Sequence, residues 1–213
     1  MTSHLRSIFL LACAFLYGTA AHGDTIYNES VSGDLSNSGL TPTLLTVSLG
    51  LNDLFGATGK NATTGIIDRD YFTFTVPQGE YLMAITVLPG TQTLGTLGDS
   101  FIGIESGPEV TVSTAATDAT GLLGWFHYNT GDIGEDILPL MGTSGLGSTG
   151  FTAPLPAGTY SFWVQEASVG TVPYGLEFTV ATPEPATWTM LLTGLTALVG
   201  KAARRAARSG LGR

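Results

Sequence analysis

The chain is poor in the residues on which reaction chemistry most often depends. Of its 213 residues one is cysteine and three are histidine. The cysteine, Cys13, falls inside an N-terminal segment with the pattern of a removable leader. The mature chain then has no thiol and no disulfide, which excludes thiol catalysis and cysteine-ligated metal. His127 is the histidine of the body, with His22 added if the leader is cut before it. It stands in Gly124-Trp125-Phe126-His127-Tyr128, a strand pattern that places it opposite Phe126 and so outward, as a surface histidine rather than a general base. No Gly-x-Ser-x-Gly elbow and no phosphate-binding Walker loop occur. Gly145-Leu146-Gly147-Ser148-Thr149-Gly150 has Gly-x-Gly-x-x-Gly spacing, but no strand–turn–helix pattern surrounds it, so it carries no dinucleotide reading.

Charge is scarce too. Charged residues make up 12% of the chain, about half the usual share, which disfavours a coiled coil or a helical bundle. Cations are the scarcest: residues 24–182 hold Lys60 and Arg69 against sixteen acids, a net of −14. Such a body repels a phosphate backbone, and no nucleic-acid partner is expected.

What the sequence does have is glycine, 29 residues of it, and two-residue alternation. Phe72, Phe74 and Val76 share one face of Asp70–Val76. Tyr81–Leu88 is a second strand, and Pro77-Gln78-Gly79-Glu80 between them has the form of a hairpin turn. Tyr160, Phe162 and Val164 alternate with Ser161, Trp163 and Gln165, and Tyr174–Val180 repeats the pattern. Leu44–Leu49, Phe101–Ile104, Val110–Ser113 and Gly124–Tyr128 are further strands, while Gly142–Gly150 is a surface loop or a place where the chain crosses between sheets. The expected fold is all-β, an antiparallel β-sandwich or jelly roll of about eight to ten strands. A signal-peptide helix precedes it and a transmembrane helix follows it.

Residues 1–23 form the leader: Arg6 gives a positive start, Ile8–Leu16 an apolar centre, and small residues allow cleavage after Ala21 or Gly23. The body spans 24–181. Residues 182–213 have three parts: Pro183-Glu184-Pro185, an apolar stretch from Ala186 to Gly200, and a basic end with Lys201, Arg204, Arg205 and Arg208. Fifteen helical residues reach about 22 Å, marginal for a hydrocarbon core of roughly 30 Å. Trp188 and the basic residues suit an interface and a cytoplasmic stop. This arrangement resembles the PEP-CTERM sorting signal of Gram-negative envelope proteins. That resemblance implies recognition by an exosortase, transient anchoring in the inner membrane after export, and delivery to the cell surface or beyond. More loosely, Asp68, Asp70-Tyr71-Phe72, Phe74, Val76-Pro77, Gly79 and Ala157-Gly158-Thr159-Tyr160 resemble bacterial pre-peptidase C-terminal domains, which implies a β-sandwich without catalysis of its own.

Carboxylates are the one chemical feature above background. Asp68, Asp70, Asp132, Glu135 and Asp136 are candidate Ca²⁺ ligands, with Asp99 and Asp118 able to join from neighbouring loops; the same residues also serve as turn formers and solubilising charge. No other cofactor is expected. The resulting expectation is a non-enzymatic exported protein, structural or adhesive in exopolysaccharide or biofilm. The alternative is a carbohydrate- or Ca²⁺-binding module stacking ligand on Trp125, Tyr128 or Trp163, and a third reading is a secreted hydrolase with dispersed carboxylates. Asn28-Glu29-Ser30 and Asn61-Ala62-Thr63 match the glycosylation sequon. N-terminal sequencing of the exported protein is expected to begin at His22 or Asp24, and a thiol assay on it to read zero.

Overall fold

A computed structural model describes residues 23–94, 100–116 and 118–183. The expected leader up to His22 lies outside the described residues. So do Asp99 and the sorting segment past Pro183, with Glu184, Pro185, Lys201, Arg204, Arg205 and Arg208. Among the described residues no helix is long and apolar enough to cross a membrane.

The fold is all-β and mostly antiparallel. Among the described residues nine strands occur in the order β1 (Asp24–Asn28), β2 (Thr43–Leu44), β3 (Gly50–Lys60), β4 (Ile67–Val76), β5 (Tyr81–Val87), β6 (Ser100–Ser106), β7 (Gly124–Tyr128), β8 (Gly158–Gln165) and β9 (Gly170–Ala181). Among the described residues two short α-helices, α1 (Glu29–Ser32) and α2 (Leu138–Ser144), and one 3₁₀ turn at Thr130–Asp132 interrupt them. The sheet runs β5-β9-β3-β4-β8-β6-β7, with β1 and β2 added in parallel to β3 and β4. It is one curled sheet whose two wings meet at a corner. There β3 and β4 pair only through Gly59↔Asp68 and Lys60↔Ile67. Gly59 makes the corner possible. Its φ is +140°, and a Cβ there would fall 1.9 Å from the Gly170 carbonyl oxygen, so no side chain fits.

The alternation read from the sequence sets which faces meet. Phe72, Phe74 and Val76 of β4 and Tyr160, Phe162 and Val164 of β8 point inward, and all are buried. Val172, Tyr174, Leu176, Phe178 and Val180 of β9 oppose them from the other wing. Phe162 stacks on Phe72 and Phe74 with centroids 5.1 and 5.0 Å apart, and meets Phe178 edge-on at 5.3 Å. These are the offset and T-shaped geometries that aromatic quadrupoles favour.

Three local expectations change. Pro77–Glu80 does form a tight turn, with Glu80 N–H donating to the Pro77 carbonyl at 3.1 Å and Gly79 at φ +84°. It is not a hairpin, however, because β4 pairs with β8 and β5 with β9. The turn carries the chain from one wing to the other, so that Val76 and Leu82 both face the core. Of Leu44–Leu49 only Leu44 is in a strand, and Val110–Ser113 has no ladder. Both stretches still bury Leu45, Val47 and Val110 as packed loop. Finally, α2 occupies the start of the glycine-rich loop. Pro139 lies in its first turn and Leu138 and Met141 are buried beneath it, an assignment the glycines obscured.

Because Phe162 lies at the centre of the aromatic cluster, Phe162→Ala is expected to cost about 3–5 kcal/mol. The loss should appear as a lower denaturant midpoint with an unchanged slope.

Candidate functional site

The first candidate site is acidic. On β4 the inward face read from Val76 back through Phe74 and Phe72 continues to Asp70 and then Asp68, two residues at a time. Asp70 is thus driven into the end of the core by the same alternation that buries the phenylalanines, and it is fully inaccessible. Tyr174, on the matching face of β9, crosses from the opposite wing and donates its hydroxyl to Asp70 Oδ2 at 2.7 Å. The crossing needs Gly56 on β3, because a Cβ there would sit 2.6 Å from the Tyr174 hydroxyl.

Glu29 and Asp34 reach the same place from the segment after β1. The Asn28 side chain caps α1 by accepting from Ser30 N–H at 3.0 Å, and Gly33, at φ +91°, turns the chain out of the helix towards Asp34. The Glu29 carboxylate accepts two backbone N–H groups, Leu35 at 2.9 Å on Oε1 and Ala57 at 2.7 Å on Oε2. One carboxylate oxygen from each of Glu29, Asp34 and Asp70 lies within 4.8 Å of the others.

The electrostatics follow from that crowding. Burial, and then the charge of Glu29, push the Asp70 carboxyl up to about 9, against the Tyr174 hydrogen bond that favours its ionised form. Burial also raises Glu29, opposed by its two backbone donors, and burial followed by the charge of Asp68 raises Asp34. The Tyr174 hydroxyl is itself held well above its ordinary value by burial and by Asp70.

Of the carboxylates singled out in the sequence, Asp70 belongs to this cluster and Asp68 acts on it through its charge. Asp132, Glu135 and Asp136 do not. Asp132 accepts from Asn129 N–H at 2.8 Å, closing a capping box. Asp136 accepts from Ile85 and Leu138 N–H, both at 3.0 Å, and Glu135 is exposed. Asp136 pins its loop to β5, and Asp132 caps a single helical turn. Asp118 accepts from Thr120 N–H at 2.9 Å in a turn. Glu29 and Asp34 carry no local signal of this role: Asn28-Glu29-Ser30 reads only as a glycosylation sequon, and nothing local ties it to a strand some forty positions on.

The second candidate site lies on the outer face of the β4-β8-β6-β7 wing. Tyr71, Trp163, Phe101, Trp125 and His127 run across four strands as one aromatic strip. Trp163 is 5.7 Å from Tyr71 and 4.9 Å from Phe101. Trp125 is 6.0 Å from Phe101 and 5.3 Å from His127. Gly103, in register between Trp163 and Trp125, leaves the space that lets Phe101 and Leu122 lean in. The result is an apolar groove of about 370 Å³, roofed in part by Val112 and Leu146, with Asp118 at its rim. Trp125 donates its indole N–H to the Leu146 carbonyl at 3.0 Å, which fixes the ring, while the Trp163 indole nitrogen is buried without a partner.

The three stacking candidates therefore separate. Trp125 borders the groove and is partly accessible, Trp163 forms its floor at 8% exposure, and Tyr128 faces inward at 0% and cannot meet a ligand. His127 is exposed, as its place in the strand pattern implies.

No family model matches the chain, and no curated protein or solved structure matches it. The reading of both sites rests on their own geometry.

The acidic end gives a signed pH dependence. An aspartate in an unfolded chain titrates near 3.9, whereas Asp70 in the fold titrates at about 9. The folded state then holds the extra proton between these values, and stability falls as pH rises through that window. In solution free of divalent cations, melting temperature is expected to decline from about pH 4 towards pH 9. In Asp70→Asn the decline should be shallower and the protein more stable than the parent at neutral pH.

Proposed function

We propose that the chain is an exported, non-catalytic adhesive or structural module of the cell surface or extracellular matrix, with polysaccharide as its contact. The observation that carries this reading is the aromatic strip. Trp125 and Phe101 offer ring faces beside a half-open apolar groove, with His127 exposed alongside and Asp118 at the rim. Sugar rings have apolar C–H faces and polar edges. A groove that combines aromatic faces with a few peripheral polar groups suits that chemistry. The strip is also held rigidly, since Trp163 is wedged between Tyr71 and Phe101 and the Trp125 indole is tied to Leu146.

The address is read from the termini. Leader-like residues 1–23 support export. Pro183-Glu184-Pro185, the apolar stretch and the basic end with Lys201, Arg204, Arg205 and Arg208 support PEP-CTERM sorting by an exosortase through a transient inner-membrane anchor. The two facing wings support a β-sandwich of the pre-peptidase C-terminal kind as the body's finer classification.

Two measurements test the proposal. Affinity electrophoresis through gels loaded with neutral exopolysaccharide is expected to retard the protein. Trp125→Ala should lose about 1 kcal/mol of that interaction, roughly fivefold in affinity, without lowering the melting temperature by more than a few degrees. Equal migration with and without polysaccharide would remove the adhesive reading. Deleting residues 183–213 should move the body from the membrane fraction to the soluble one, and an unchanged fractionation would remove the sorting reading.

A further inference from the structure

We propose that Glu29, Asp34 and Asp70 form a binding site for one hard divalent cation, Ca²⁺, which ties the segment after β1 to the open end of the core. Two independent observations carry it. One oxygen from each of the three carboxylates lies within 4.8 Å of the other two, close enough for one ion to bridge them with a small inward shift of the exposed Asp34. Separately, Asp70 is wholly shut from solvent, and its Oδ1 is buried with no hydrogen-bond partner. A buried carboxylate oxygen left without a donor is expensive, and native structures rarely keep one without a purpose. The unsatisfied atom belongs to the residue at the dry side of the acidic cluster.

The surrounding hydrogen bonds leave the right lone pairs free. Tyr174 occupies Asp70 Oδ2 and leaves Oδ1. Each Glu29 oxygen takes one backbone N–H, which fixes the carboxylate plane while a second lone pair on each oxygen remains. Asp34 is exposed, so the ion would be half-caged, with water completing its shell on that side. Every donor is oxygen and none is imidazole or thiolate, which selects a hard cation. Ca²⁺ accepts six to eight oxygens in irregular geometry and tolerates mixed protein and water ligands, whereas Mg²⁺ demands a near-ideal octahedron. Asp68 adds a further negative charge to the neighbourhood.

Such a site would join three parts of the chain: the α1 segment, β4, and β9 through Tyr174. It does not depend on the adhesive reading, because it lies on the inward face of β4 and the aromatic strip lies on the outward one.

The experiment uses the full chain purified in detergent and stripped with chelator. Ca²⁺ is expected to raise the melting temperature by several degrees and to bind by titration calorimetry more tightly than Mg²⁺. Tb³⁺ is expected to show tyrosine-sensitised emission that Ca²⁺ quenches, with Tyr174 as the adjacent donor. Asp34→Asn, an exposed change that leaves the fold intact, should weaken Ca²⁺ by roughly tenfold or more, as should Glu29→Gln. Asp118→Asn, at the rim of the other site, should leave the affinity unchanged. Absence of both the calorimetric signal and the Tb³⁺ emission would overturn the proposal. So would a Ca²⁺ affinity that is the same in the parent, Asp34→Asn and Glu29→Gln.

Discussion

The structure depends on the closure of two wings of one sheet around four phenylalanines. Phe72, Phe74 and Phe162 come from one wing and Phe178 from the other. Fully burying such side chains is worth about 1.5–3 kcal/mol each, and here the rings also meet in favourable mutual orientations. A continuous sheet can close in this way only if it bends sharply, and the bend falls where β3 and β4 share two residue pairs. Gly59 allows the start of β9, at Gly170, to approach there without a clash. The wing-crossing turn at Pro77–Glu80 follows from the same closure, because β4 and β5 meet face to face across the core instead of edge to edge.

Closure also explains why the acidic site is where it is. Strand alternation has a period of two and makes no exception for charge. Once Phe72 and Phe74 point inward, so does Asp70, and the fold must then accommodate a carboxylate at the end of a dry core. It does so with a phenol from the opposite wing, with backbone donors for the neighbouring Glu29, and with an Asp70 carboxyl held largely protonated at neutral pH. Retaining an ionisable group costs stability near neutrality, which makes sense if the charge is used.

The strands and their facing were legible in the sequence because alternation is a local signal. β7 falls at Gly124–Tyr128 as read, and the inward sets of β4, β8 and β9 agree with their patterns. What escaped was long-range or masked by composition. Whether Pro77–Glu80 closes a hairpin or crosses between wings depends on partners at Gly158–Gln165 and Gly170–Ala181, which no four-residue pattern encodes. Helix α2 was hidden among glycines, although Pro139 in its first turn was a usable signal. At the acidic site the Asp68–Asp70 half was visible and the Glu29–Asp34 half was not. Asp132, Glu135 and Asp136 looked equivalent as a string of acids, yet Asp132 and Asp136 are occupied by backbone N–H groups and Glu135 lies exposed. Tyr128, a stacking candidate by residue type, is a core ring, because the parity that puts His127 outward puts Tyr128 inward.

The two faces of β4 thus carry different chemistry one residue apart: Asp70 inward to the carboxylates, Tyr71 outward to the aromatic strip. This bears on the kind of surface the body can adhere to. With a net of −14 over residues 24–182, the body is repelled by an anionic polymer over about a Debye length, roughly 8 Å at physiological salt. Among the described residues lining the aromatic groove there is no lysine or arginine to offset that repulsion. On the proposed adhesive reading, ring-face contact combined with this charge favours neutral glycans over acidic ones. A cation held between Glu29, Asp34 and Asp70 would cancel part of the body's charge where like carboxylates crowd most closely, coupling the stability of the fold and the range of its partners to the same ion.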